Sequence, residues 1–104
     1  MALEITDNNY KTIIETDKLS MIDFWGDGYP PCNIVSPIVE QLANEYEGQV
    51  VVGKLKVGDN PIASVEFGVR NIPTILFFKG GKQVDKQVGA VPKHVLEAKL
   101  KTHI

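Results

Sequence analysis

One sulfur nucleophile, Cys32, closes a run of residues that either shape a backbone or offer a flat face: Trp25-Gly26-Asp27-Gly28-Tyr29-Pro30-Pro31-Cys32-Asn33. Thiolates attack disulfides and ligate soft metals, so the number of cysteines limits the chemistry first. With one cysteine in 104 residues, neither an internal disulfide nor a thiolate metal cluster can form. Reducing a disulfide moves two electrons: one thiol attacks and a second resolves the mixed disulfide. A lone thiol attacks once and then waits for an outside thiol. His94 and His103 are nine residues apart, which fits no metal site, so no metal and no cofactor are expected. His94, beside Lys93 and near Glu97, reads as a solvated surface histidine. Asp23 is the other group with chemistry in it. It is a carboxyl inside the apolar run Met21-Ile22-Asp23-Phe24-Trp25, where desolvation favours the neutral form.

These groups need elements to hold them. Asp7 or Asn8 is placed to cap a first helix in which Tyr10, Ile13 and Ile14 share a face. Residues 21–25 predict a strand covered on both faces. Apolar residues at 34, 35, 38, 39, 42, 43 and 46 form a stripe two residues wide at helical period, ended by Gly48. Ser36-Pro37 alone would start that helix late, but Ile34 and Val35 extend the stripe backwards. The helix is therefore expected from near Pro30, with a kink at Pro37 and a loop stiffened by Pro30-Pro31. Residues 50–55 read as a second strand, and Pro61 opens a short helix carrying Ile62, Val65 and Phe67 up to Gly68. Residues 74–78 are a third strand, Gly80-Gly81 a hairpin turn, and residues 82–88 the return strand. Pro92 begins a last helix with Val95, Leu96, Lys99 and Leu100. This alternation is α/β with a mixed sheet, in one domain spanning residues 1–104, since no repeat or linker interrupts it. Cys32 then lies in the first turn of a helix that follows a strand. Open α/β sheets place their sites there, and the helix dipole favours negative charge.

Composition narrows the partners. The chain is 43% apolar and 23% charged, the balance of a globular protein. Eleven basic residues against thirteen acidic ones give a net charge of −2, which argues against nucleic acid. No apolar run approaches the ~20 residues of a membrane span, so no membrane association is expected. Residues 1–20 show no basic start followed by an apolar block, so a cytoplasmic protein is expected, and a monomer.

Nearly the whole chain resembles the thioredoxin family of thiol-disulfide oxidoreductases. The shared marks are Asp23-Phe24-Trp25 leading to Pro31-Cys32, Pro37 inside the next helix, Lys54, Ile72-Pro73-Thr74, and Gly89 before the last helix. The resemblance implies the thioredoxin fold, a mixed central β-sheet flanked by helices on both faces, and a protein-disulfide reductase of cell redox homeostasis. Where the family carries Trp-Cys-Gly-Pro-Cys, this chain has Gly28-Tyr29-Pro30-Pro31-Cys32, and Asn33 takes the usual basic position. Tyr29 thus stands at the position of the attacking cysteine. Dithiol turnover is expected to be lost, leaving monothiol exchange at Cys32 with protein partners through a mixed disulfide. The alternative is a redox-inactive module that holds extended peptide segments in a groove near Pro73.

The family also implies roles for the surrounding residues. Asp23 corresponds to the buried acid that moves the second cysteine's proton, with Lys54 nearby; the plainer reading is a paired, destabilising leftover. Pro73 resembles the cis-proline facing the active loop, against a trans-proline that starts an edge strand. Trp25, Tyr29, Pro31, Ile72, Pro73, Thr74 and Gly89 would form the substrate groove. In it, the strand after Pro73 offers backbone groups free on one side, and Gly89 leaves room for a close approach. Cys32 is read as inert more readily than as reactive, since free cysteines are among the most buried residue types. Tyr29 is expected to be exposed at the loop tip, and Trp25 either exposed or packed.

Overall fold

The computed structural model describes residues 1–104. Along the chain lie β1 (Leu3–Glu4), α1 (Tyr10–Ile14), β2 (Leu19–Trp25), α2 (Pro30–Glu45), β3 (Val50–Lys56), α3 (Pro61–Glu66), β4 (Thr74–Lys79), β5 (Lys82–Val88) and α4 (Lys93–His103), with a short 3-10 turn at Val57–Asp59. The five strands form one sheet in the order β1-β3-β2-β4-β5. β3 runs parallel to both β1 and β2, whereas β4 is antiparallel to β2 and to β5. This is the mixed sheet that strand-helix alternation followed by a hairpin predicts, and it is the thioredoxin fold.

Strand periodicity divides the core in two. Leu19 and Met21 of β2 point toward α2 and α4, joining Val35, Val39, Leu42, Leu96 and Leu100. Ile22 and Phe24 point the other way, joining Tyr10, Ile14 and Ala63 beneath α1 and α3. β2 is buried along nearly its whole length because helices cover both faces.

Several expectations need correction. Asp7 does not cap α1: its carboxylate accepts from Ile62 N at 3.1 Å and Ala63 N at 2.8 Å, capping α3 instead. Asn8 does not cap α1 either; the residue before that helix is Asn9, with no side-chain cap bond. Ile34 is exposed, so the apolar stripe of α2 begins at Val35. The two-residue strand β1 escaped sequence reading because it is too short to show alternation. β4 is interior, not free along one side: Thr74 is registered with Phe24 on β2 and with Val88 on β5. The hairpin return covers the backbone that Pro73 was expected to leave open. α2 starts at Pro30 and continues through Pro37 to Glu45.

Candidate functional site

The parallel strands β1, β2 and β3 all end on one side of the sheet, and the loop after β2 turns there into α2. Gly26 opens that loop. A Cβ at Gly26 would stand 2.8 Å from Ile72 Cδ1, the movable end of that side chain, so Ile72 packs directly on the loop. Tyr29 has an extended backbone and precedes α2, whose first residue is Pro30, where a missing N–H costs nothing. Cys32 N donates to Tyr29 O at 2.9 Å, closing the first turn. One turn separates opposite surroundings: Tyr29 is 54% exposed and Cys32 only 2%. Pro31 is exposed between them.

Behind the loop, Asp23 is fully buried and neither carboxyl oxygen has a hydrogen-bond partner. Burial raises its pKa from 3.8 to about 7, opposed in part by the Lys54 charge. Lys54 is its register neighbour on β3. The reading of Asp23 as a paired acid is therefore corrected, because the Lys54 ammonium hydrogen-bonds Ser36 and lies 3.7 Å from Glu40. Trp25 is half-buried, with Lys54 Nζ at 5.8 Å and Lys56 Nζ at 5.6 Å from its ring centroid. Lys56 also binds Asp27 at 2.7 Å, tying the loop to β3.

Opposite the loop, the Ile72-Pro73 peptide is cis and Pro73 is buried. Pro73 O accepts from Gly89 N at 2.8 Å, and Thr74 Oγ1 donates to Asn71 O at 2.5 Å. Thr74 is therefore turned inward and spent on its own loop. Gly89 has φ +87° and open space where a Cβ would sit. Its backbone conformation accounts for the glycine, which corrects the expectation that a close approach requires it. Tyr29 and Ile72 share a cavity of about 310 Å³ with Val57, Val69, Arg70 and Asn71. Those last four were missed in the sequence, where the usable signal was Gly26, a side-chain-free residue beside the strand end.

No three His, Cys, Asp or Glu side chains are grouped so as to hold a metal ion, and no helix is long and apolar enough to cross a membrane. His94 is exposed, whereas His103 Nε2 lies 2.9 Å from Asp85, locking the end of α4 to β5.

Comparison with known proteins agrees with this architecture. The family model described as Thioredoxin matches residues 1–102. A Thioredoxin from Chlorobaculum thiosulfatiphilum is 45% identical over 102 residues, covering 97% of this chain and 94% of its own length. A Thioredoxin from Porphyra purpurea is 42% identical over 102 residues, covering 97% and 95%. Thioredoxin 1 from Nostoc sp. is 39% identical over 104 residues, covering 99% and 97%. A buried acid beneath a strand-to-helix loop, a cysteine in that helix's first turn and a cis-proline facing it thus sit in a chain that is similar to these proteins over nearly its full length, and the chain belongs to the thioredoxin family.

Proposed function

We propose that this protein keeps the partner-holding surface of a thioredoxin-family disulfide reductase but does not turn over disulfides by itself. Tyr29 occupies the place of the attacking cysteine, and Cys32 is the position retained. The observation that carries this reading is the burial of the only thiol in the chain. Two-electron reduction requires a second sulfur, and this chain has none to offer. The recognition surface is the exposed Tyr29 ring, Pro31 and the cavity wall at Ile72, beside the buried Pro73. Tyr29 brings an apolar face with a polar tip, a combination common at interfaces. The Thr74 hydroxyl, donating to Asn71 O, and Gly89 N, donating to Pro73 O, support the turn of this surface. Trp25, gripped by Lys54 and Lys56, backs the loop. The occupant is an extended segment of a protein partner, and the protein acts as a monomer.

Burial of Cys32 favours this binding role over monothiol exchange, because a thiolate must reach the disulfide it attacks. An aromatic disulfide reagent, 5,5′-dithiobis(2-nitrobenzoate), tests the point. The native thiol is expected to react at least about a hundredfold more slowly than the thiol in urea-unfolded chain, as native protection by a few kcal/mol requires. Equal rates would return Cys32 to the role of a working monothiol.

A further inference from the structure

A second cavity, of about 330 Å³, lies at the carboxyl ends of the three parallel strands. Leu3 and Glu4 of β1, Trp25 of β2, Lys54 and Lys56 of β3, and Asp59 all contribute to its wall. It shares no residue with the cavity at Tyr29. Carboxyl ends of parallel strands are where open α/β sheets bind ligands. We propose that this cavity binds a small organic anion, a phosphate or carboxylate head on a compact apolar body.

The charges are arranged by depth. Lys54 and Lys56 are 22% and 36% exposed and both reach to the Trp25 ring, whereas the carboxylates paired with Lys56 stand out in solvent, Asp27 at 74% and Asp59 at 72%. Exposed ion pairs contribute little, so an incoming oxyanion exchanges for Asp27 and Asp59 at small cost. Lys56 and Lys54 stand two residues apart on one strand and so face the same side of the sheet; the Lys54 ammonium is held by Ser36 and lies 3.7 Å from Glu40, so Lys56 is the direct partner of the head group and Lys54 adds its charge beside it. The Trp25 indole and Leu3 offer the apolar surface for the body of the ligand. Glu4 also lines the cavity as the register neighbour of Lys54, so a ligand carrying a second anionic group is disfavoured. The volume falls at the lower end of small-molecule sites, which run from roughly 300 to 1,000 Å³.

Trp25 is the only tryptophan in the chain, so its fluorescence reads occupancy directly. Phenyl phosphate, benzoate and inorganic phosphate are to be titrated into the full chain at ~0.1 M salt, where distant charge effects are screened. Phenyl phosphate is expected to give a saturable change whose half-point rises about tenfold in Lys56→Met and in Lys54→Met. Lys86→Met, on β5 at the far edge of the sheet, should leave the half-point unchanged. Inorganic phosphate binding as tightly as phenyl phosphate would keep the oxyanion site but assign it to free phosphate. Amide shifts at Leu3, Glu4 and Asp59 locate the ligand independently should one lysine variant fail to fold. Absence of saturation, or a half-point that neither lysine variant moves, overturns the proposal.

Discussion

Asp23 holds its carboxyl in the middle of β2 with both oxygens unpaired, and burial raises its pKa from 3.8 to about 7. In the unfolded chain the group ionises near its ordinary value, about 4. Between those two values the folded state keeps a proton that the unfolded state releases, so stability falls as pH rises through that window. The penalty is absent below about pH 4 and complete above about pH 7, where some three pKa units correspond to about 4 kcal/mol. Asp23→Ala removes the charge but leaves a small void. Urea denaturation should therefore find the variant more stable than the parent at about pH 9, by about 2 kcal/mol, and no more stable than it near about pH 4. A difference independent of pH would contradict an unpaired buried acid. At the loop, the hydrogen bond from Cys32 N to Tyr29 O sets positions 29 and 32 one helical turn apart. A disulfide between those two positions is expected to close with little movement of the loop. Tyr29→Cys is expected to oxidise under mild conditions to an internally bridged form, lighter by two hydrogens in mass spectrometry. A variant that stays fully reduced would show that the loop holds the two positions apart.

The short elements are held by residues distant in sequence, and there sequence reading fell short. α3 has six residues, too few to persist alone, and it is anchored by the Asp7 carboxylate at its first amides. Asn60 Oδ1 accepts from Asp7 N at 2.9 Å, so the two segments fasten each other. Asp7→Ala should lower stability by about 1 kcal/mol, with Asp7→Asn retaining most of it, measured as a shift in urea midpoint at unchanged slope. No shift in either variant would mean that packing of Ala63 alone holds α3. Pro61 and Gly68 made this helix legible from local signals. Its cap was not legible, because the partner lies 55 residues away. β4 gave the same lesson: the run from Thr74 to Phe78 announces a strand, but whether it is interior depends on where β2 and β5 dock. Ile34 was misassigned because it abuts the true stripe at the helix start, where one turn can face solvent. α2, with a long periodic face against the sheet, was legible down to its first residue.

At the scale of the molecule, one end of the sheet gathers everything that bears on function. Tyr29, Pro31, Cys32, Ile72 and Pro73 meet there because β2 ends at the loop and the segment before β4 closes over Gly26. The loop-and-proline pairing was legible from the order of the motifs. The lining by Val57, Val69, Arg70 and Asn71 was not, since those residues carry no pattern until the chain is folded. A thioredoxin-family scaffold therefore surrounds a site with one buried sulfur, and on the function proposed above such a site does not cycle. The direct measurement is NADPH consumption in a mixture of thioredoxin reductase, insulin and this protein. Consumption equal to that of reductase and insulin alone is expected at every concentration of the protein. Sustained consumption above that level, rising with the protein added, would mean that the single thiol does turn over.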